Sequence, residues 1–339
     1  MSDESCRIGV IGAGSWGTAL AHLLAARGHR VTLWAFEPEV VAGVNGEHRN
    51  PVYLSGVPLA EGIEATGDLE RAVRDADLLL FVVPTQHVRA QLRAARALFR
   101  PGVPVVICSK GIERGTLATL DRVFADELPE ACHSGIAVMS GPSFALEVAK
   151  GMPTNVTVAA RDPDVARRVQ SLVATKAFRV YTTDDVIGVE MGGALKNVVA
   201  IAVGASDGMG FGDNTRAALM TRGLAEITRL AVAMGGRPET MLGLAGMGDL
   251  VLTCMGEQSR NRQAGKLLAQ GKDAKAIQRE MRMVAEGVPT AESGFRLAQQ
   301  RGVDCPLTEQ VYRVLYEGLK IADGVAALQG RELKEEWRT

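Results

Sequence analysis

Short β-branched apolar runs alternate with longer amphipathic stretches through the first half of the chain. Arg7–Ile11, Arg30–Trp34, Leu78–Val83, Val105–Ser109, Ile136–Ser140 and Asn155–Ala159 read as strands. Trp16–Ala26, Leu69–Arg74, Val88–Leu98, Thr116–Asp126 and Pro163–Leu172 read as the helices between them. This alternation builds βαβ units around a mostly parallel sheet. Such a sheet is covered on both faces, so its strands are apolar throughout rather than at every second position. After about Thr183 the pattern changes. Val186–Val203, Arg216–Met234, Asn261–Gln270, Lys275–Met283, Thr290–Arg301 and Glu309–Tyr316 all read as helices, with no comparable β-branched run among them. The expected organisation is an α/β nucleotide-binding domain over residues 1–184, an all-α domain over 185–330 and a charged tail over 331–339. No Pro/Gly/Ser linker separates the halves, so the boundary should be packed.

Composition narrows the function classes. A length of 339 residues exceeds one usual hydrophobic core, and 47% apolar with 23% charged residues is a globular balance. A formal net charge of −1 gives no general attraction to nucleic acid or anionic membrane. An acidic small ligand must therefore meet locally placed positive charge. The start, Met1 to Arg7, is too polar for a secretory signal, and the longest apolar runs, Leu78–Val83 and Val198–Val203, are far short of a membrane span. Five scattered cysteines without C-x-x-C spacing suit a reducing compartment and suggest no zinc. The expectation is a cytoplasmic protein with no metal.

Gly12-Ala13-Gly14-Ser15-Trp16-Gly17 matches G-x-G-x-x-G between the first strand and the first helix, with a second strand following. That setting is a Rossmann-type dinucleotide site. Gly12 permits the tight turn, Gly14 lets backbone approach a pyrophosphate, and Gly17 lets helix pack on strand. The phosphates meet the unpaired N–H groups of the helix start. Glu37, 20 residues beyond Gly17, stands where a carboxylate would hold a ribose 2′-hydroxyl and repel a 2′-phosphate. On its own it also reads as a solvated strand-end glutamate.

Five further segments carry candidate chemistry. Lys110 and Ser140-Gly141-Pro142-Ser143 sit at the C-terminal ends of strands, where open α/β sheets bind ligands. Lys196 lies mid-helix in Gly192-Gly193-Ala194-Leu195-Lys196-Asn197, just before Val198–Val203. A lysine there is either a snorkelling surface residue or one held in an apolar cleft. In the cleft, with Lys110 near, its pKa would fall toward neutrality, as a general acid/base requires. Asp249, in a glycine turn before an apolar run, is either a helix N-cap or a partner for substrate or lysine. Ser259-Arg260-Asn261 opens a helix: Ser259 caps it, and Arg260 adds a two-pronged donor for phosphate oxygens. Basic residues are unfavourable at a helix N-terminus, which argues for an anion there.

Together these segments resemble the NAD(P)-dependent glycerol-3-phosphate dehydrogenase family, in its bacterial biosynthetic branch. GAGSWGTAL, CSKGIE, SGPSFALEVA, GGALKNVVAIAVGASDGMGFGDNTRAALMTRGLAE, AGMGDLVLTC, SRNRQAG and VAEGVPT carry the likeness, in the family's order across nearly the whole chain. The resemblance implies interconversion of glycerol 3-phosphate and dihydroxyacetone phosphate, with NAD(P)H, for phospholipid synthesis. It implies that Lys196 accepts the proton of the C2 hydroxyl and that Lys110 and Asp249 bind and polarise substrate. Ser259, Arg260 and Asn261, with Gly141 and Ser143, would hold substrate, Arg260 reaching the phosphate and Thr253 adding a hydrogen bond. Ser15, Trp16, Phe36, Lys110, Ala145, Arg260, Val284 and Glu286 correspond to cofactor contacts beside the glycines. NADPH-using relatives often carry a basic residue or His where Phe36 stands here. The family also implies a homodimer. Two other readings fit a nucleotide domain followed by helices: a 6-phosphogluconate or 3-hydroxyacid dehydrogenase, and a non-catalytic NAD(P) sensor. The first would need carboxylate recognition, to which no further basic group is assigned; the second leaves Lys196, Asp249 and Arg260 without a purpose.

Overall fold

A computed structural model describes residues 5–281, 284–333 and 335–336. Met1–Glu4, the predicted helix end at Met283 and parts of the charged tail (334, 337–339) lie outside the described residues. The first half is one eight-stranded sheet: β1 Arg7–Ile11, β2 Arg30–Trp34, β3 Ile63–Thr66, β4 Leu78–Phe81, β5 Val105–Ile107, β6 Ile136–Ser140, β7 Thr154–Ala160 and β8 Phe178–Thr183. Its order is β3-β2-β1-β4-β5-β6-β7-β8. Neighbours pair in parallel except β6 with β7, which are antiparallel.

Helices α1 Ser15–Ala26, α2 Pro38–Glu47, α3 Leu69–Val73, α4 Val88–Ala95, α5 Leu120–Glu127, α6 Ala145–Ala149 and α7 Pro163–Val173 accompany the strands. One apolar layer joins Leu20, Leu24, Leu33 and Val169. A second, on the other face, gathers Phe81, Leu92 and Phe124, with the Phe81 and Phe124 rings edge to face at 5.1 Å. Residues 7–183 thus hold the α/β architecture that the alternation predicts, with two edge strands added. β3 is four residues long and broken by the exposed Glu64, and β8 alternates buried and exposed positions over its first four residues, so neither presents an apolar run. α2 was hidden by Gly43 and Gly46, poor helix formers.

The second half is all helical: α8 Val186–Gly208, α9 Asp213–Ala233, α10 Pro238–Met241, α11 Asp249–Met255, α12 Arg260–Ala269, α13 Ala274–Glu280, α14 Gly287–Arg301, α15 Pro306–Tyr316 and α16 Ile321–Gln329. A π-type turn, Leu244–Gly248, precedes α11. α8 is the axis of this half. With 23 residues and a mean hydropathy of 1.6, it is long and apolar enough to cross a membrane by length and composition, which the short run Val198–Val203 did not reveal. Yet 89% of its most apolar window is buried among the other helices, so here it is a core helix. It runs five residues beyond the predicted end at Val203, through Gly204, Ala205, Ser206, Asp207 and Gly208.

Gly204 explains how α12 reaches α8. A Cβ there would lie 1.9 Å from the Arg262 carbonyl oxygen, and a Cβ at Gly265 would lie 2.0 Å from that of Ile201. The helices cross backbone to backbone. Gly204→Ala should cost about 1–3 kcal/mol in urea unfolding, since overpacking must push the two helices apart. Unchanged stability would show that α12 shifts freely.

Candidate active site

The glycine turn sits at the C-terminal end of β1, where the strand order reverses between β1 and β4. Gly12 has φ +113°, and a Cβ there would lie 2.9 Å from the Val82 backbone. A Cβ at Gly17 would lie 1.8 Å from the Gly12 oxygen, whereas one at Gly14 would meet nothing within 4 Å. Gly12 and Gly17 are thus required by packing, and Gly14 keeps an open approach to the start of α1. Asn50 braces the turn, donating 2.8 Å bonds to the Ala13 carbonyl and the Thr18 hydroxyl. Ser15 Oγ donates to the Tyr53 carbonyl at 2.8 Å, and the half-buried Trp16 has its Nε1 without an acceptor.

Beyond β2, Phe36 is 81% exposed, a flat apolar ring beside the turn. Glu37 accepts a 2.5 Å bond from the Tyr53 hydroxyl. Burial, and then this carboxylate, push that phenol up to about 12. Glu37 is therefore not merely solvated; it ties the segment carrying Asn50 and Tyr53 to the end of β2.

The reactive cluster assembles from four elements. Lys110 follows β5, Ser140 ends β6, Lys196 is mid-α8 and Asp249 is the first residue of α11. Glycines permit the meeting: a Cβ at Gly192 would lie 2.5 Å from the Ala245 oxygen, and one at Gly193 2.7 Å from Ser140 Oγ. α8 thereby presses its Lys196 turn against both the π-type turn and the sheet end. Asp249 does not cap α11; the cap position is Gly248. One Asp249 oxygen accepts from Lys110 Nζ at 2.6 Å and from Ser140 Oγ at 3.3 Å, while the other accepts from Lys196 Nζ. Lys196 also donates to Thr253 Oγ1 at 2.8 Å, and Lys110 to the Gly141 carbonyl at 3.2 Å.

Lys196 is 6% exposed, so it does not snorkel. Burial lowers its pKa to about 8; Lys110 acts in the same direction and Asp249 partly opposes. Burial by itself would raise Asp249, but the two flanking ammonium groups outweigh it and hold the carboxyl below its usual range. The cluster is a fixed carboxylate between two amines, one of which can lose its proton near neutral pH.

In the helical half, Ser259 Oγ accepts from the Arg262 N–H at 3.2 Å and caps α12. Arg260 and Asn261 are the first two helical residues, whose N–H groups have no acceptor within the helix. The Asn261 carboxamide donates to Asn197 Oδ1 at 2.8 Å and accepts from the Gly287 N–H at 2.8 Å, fixing α12 to α8 and α14. The Arg260 guanidinium has no hydrogen bond or ion pair among the described residues. Burial lowers its pKa, and Glu286 counteracts this. Glu286 Oε1 accepts from the Thr85 N–H at 2.9 Å, and its buried Oε2 has no partner. Burial pushes this carboxyl up to about 7. Ser143 Oγ donates to the Gly141 carbonyl at 3.0 Å, Ala145 opens α6, and Val284 is exposed beyond α13. Among the described residues no group of three or more His, Cys, Asp or Glu is placed to hold a metal.

Residues 7–166 match the model of the NAD-dependent glycerol-3-phosphate dehydrogenase N-terminus, and residues 185–326 that of its C-terminus. The chain belongs to this family. A glycerol-3-phosphate dehydrogenase [NAD(P)+] of Geobacter sulfurreducens is 55% identical over 97% of this chain and 98% of its own length. One from Anaeromyxobacter sp. (strain K) is 54% identical over 97% of this chain and 99% of its own. The crystal structure of glycerol-3-phosphate dehydrogenase from Coxiella burnetii superposes with a TM-score of 0.91, at 40% identity, over 96% of this chain and 99% of that one.

As a member of the glycerol-3-phosphate dehydrogenase family, the chain is an NAD(P)-using oxidoreductase. The residues singled out from sequence fall into two groups. Lys110, Gly141, Lys196, Asp249 and Thr253 meet in direct contact, and Glu286 lies close enough to Arg260 to act on its charge. Phe36 and Val284 stand exposed, without such contacts. The Ser140 hydroxyl's bond to Asp249 was not foreseen, though its segment was singled out, and Asn197, Asn50, Tyr53 and Thr85 were missed as supports. Asn197 lies beside Lys196; Asn50 and Tyr53 lie in a loop, and Thr85 opens a single 3-10 turn, with no pattern to mark them.

Proposed function

We propose that the chain interconverts sn-glycerol 3-phosphate and dihydroxyacetone phosphate in the cleft between residues 1–184, which hold cofactor, and 185–330, which hold substrate. The observation that carries this reading is the Lys196–Asp249–Lys110 cluster, in which a buried amine is held by a buried carboxylate, together with an Arg260 guanidinium that none of the described residues pairs. The glycine turn, open at Gly14, fits a pyrophosphate, and Gly12, Gly14, Ser15, Trp16, Gly17, Phe36, Glu37, Ala145, Val284 and Glu286 would line the NAD(P) site. When bound, that cofactor accepts or returns the hydride at C2.

The chain's own groups do the rest. Neutral Lys196 takes the C2 hydroxyl proton during oxidation, and its ammonium returns one during reduction. Asp249 holds Lys196 in place, and Lys110 biases it toward the neutral amine. Arg260, with the N–H groups of the α12 start, binds the phosphate; Ser259 and Asn261 hold that helix start in position. Thr253, Gly141 and Ser143 complete the substrate end. A hydroxyacid substrate is disfavoured because Lys110 is already engaged by Asp249, leaving Arg260 as the one unpaired cation in this set. A bare NAD(P) sensor would have no use for a triad whose burial is costly. By family likeness we further assign a homodimer, a cytoplasmic location and supply of glycerol phosphate for phospholipid synthesis.

Two expected results test this reading. Oxidation of glycerol 3-phosphate should speed up as pH rises through about 8, and reduction of dihydroxyacetone phosphate should slow over the same range, because Lys196 titrates there. Profiles that are flat from pH 7 to 9 in both directions would remove Lys196 as the titrating group. Arg260→Ala should raise KM for dihydroxyacetone phosphate by roughly ten- to a hundredfold, the worth of charged hydrogen bonds. An unchanged KM would place the phosphate elsewhere.

A further inference from the structure

A second set of charges, outside the Lys196 cluster, holds the chain where it enters α12. Asp207 lies in the last turn of α8, where the helix dipole disfavours a carboxylate, and its side chain is only 8% exposed. Two arginines from different helices divide its oxygens. Arg216 of α9 donates from Nη2 to Oδ1 at 2.9 Å, and Arg262 of α12 donates from Nε to Oδ2 at 2.6 Å. Burial by itself would raise this carboxyl, but the two guanidiniums outweigh it and hold it below its usual range. Arg262 Nη1 also donates at 3.2 Å to the carbonyl of Met255, the last residue of α11. Among the described residues the Arg262 side chain hydrogen-bonds to Asp207 and Met255 alone. It thus joins the ends of α8 and α11, while its backbone N–H is the donor that Ser259 caps. The two arginines of the α12 first turn therefore differ. Arg262 has its anion within the protein, and Arg260 has none among the described residues, which leaves it for a ligand.

We propose that Arg262 is a positioning residue for the phosphorylated substrate. Clamped by Asp207 and Met255, it sets where the N–H groups of the α12 start and the Arg260 guanidinium stand. This rests on the reading that the phosphate binds at that helix start. Arg260 is two residues back along the same turn, so a tilt of the turn moves its charge and the N–H groups together. Hydrogen bonds weaken steeply with misalignment. A misplacement of about 1 Å from a change far from the chemistry can cost on the order of a hundredfold.

Steady-state reduction of dihydroxyacetone phosphate by the full chain, with NADH saturating, tests the assignment. Arg262→Ala should raise KM for dihydroxyacetone phosphate by about five- to fiftyfold. The larger share of its loss in kcat/KM should fall on KM rather than kcat, as expected when binding contacts are displaced. Arg262→Lys, which keeps the charge but reaches one anchor at a time, should lie between the parent and Arg262→Ala. Asp207→Asn keeps the shape but offers one acceptor where two arginines need one each, so it should raise KM by about three- to tenfold. The sign of that change separates positioning from charge alone, because losing a negative charge near the site would otherwise lower KM for an anionic substrate. A generally loosened fold would reduce kcat or the active fraction and leave KM alone. A KM for Arg262→Ala indistinguishable from the parent's overturns the proposal, and so does an unchanged or lowered KM for Asp207→Asn. Should Arg262→Ala not fold, Arg262→Lys takes its place under the same criterion. Arg260→Ala measured beside them separates the two failures: if it too leaves KM unchanged, the phosphate does not bind at the α12 start at all.

Discussion

Lys196→Ala should lower kcat for glycerol 3-phosphate oxidation by about 10²–10⁴-fold, the usual worth of positioned proton transfer, while NADH affinity stays within about twofold. The expectation follows from the triad's geometry. Lys196 is the buried member whose pKa, about 8, allows it to shed and regain a proton under working conditions. Its loss leaves Asp249 still paired to Lys110 at 2.6 Å, so no buried carboxylate is stranded and the fold should hold. The glycine turn stands on β1, α1 and Asn50, none of which contacts Lys196, so cofactor binding should persist. Fluorescence titration with NADH beside steady-state rates separates the two effects. A variant that turns over near the parent rate would remove Lys196 from the chemistry.

Asp249→Ala should do a different kind of damage. Removing the carboxylate leaves two ammonium groups facing one another, and breaking a buried pair costs roughly 3–5 kcal/mol. Lys110 is partly exposed and can turn toward water; Lys196 is buried and cannot. The cost should therefore depend on pH. Burial already holds the Lys196 pKa below its unfolded value of about 10.4, and the loss of Asp249 lowers it further. Between the folded and unfolded values the unfolded chain binds more protons, so stability rises with pH. Urea midpoints should show a large deficit at pH 7 that shrinks toward pH 10. A deficit independent of pH would mean that Asp249 acts through packing rather than charge. Asp249→Ala should also lose activity, because the amine it positions is then free to move.

The sequence made parts of this architecture legible for physical reasons. β4 and β5 are apolar and buried throughout, and β1 and β6 are so apart from Arg7 and Ser140 at their ends, so these strands declare themselves. β3 and β8 lie at the sheet edges, where polar residues such as Glu64 and Arg179 interrupt them, which leaves no run to read. The reversal of β7 against β6 has no local signature, because strand direction is set by the connection rather than by composition. In the site, the glycine turn was legible because its three glycines serve three local demands. Lys196, Lys110 and Asp249 were each suspect, but their sequence separations, 139 residues for Lys110 to Asp249 and 53 for Lys196 to Asp249, hide the contact. Asp249 alone reads equally well as a helix cap, and only the fold shows that Gly248 takes that position. The Tyr53–Glu37 bond and the Asn50 brace come from a loop whose shape the residue pattern does not encode.

A ternary crystal structure with NADH and a non-reacting analogue of dihydroxyacetone phosphate tests the central claim most directly. The account predicts Lys196 Nζ within about 2.6–3.2 Å of the oxygen on C2, with the phosphate at the α12 start beside Arg260. A nitrogen out of reach of that oxygen, both directly and through a single water, would contradict it.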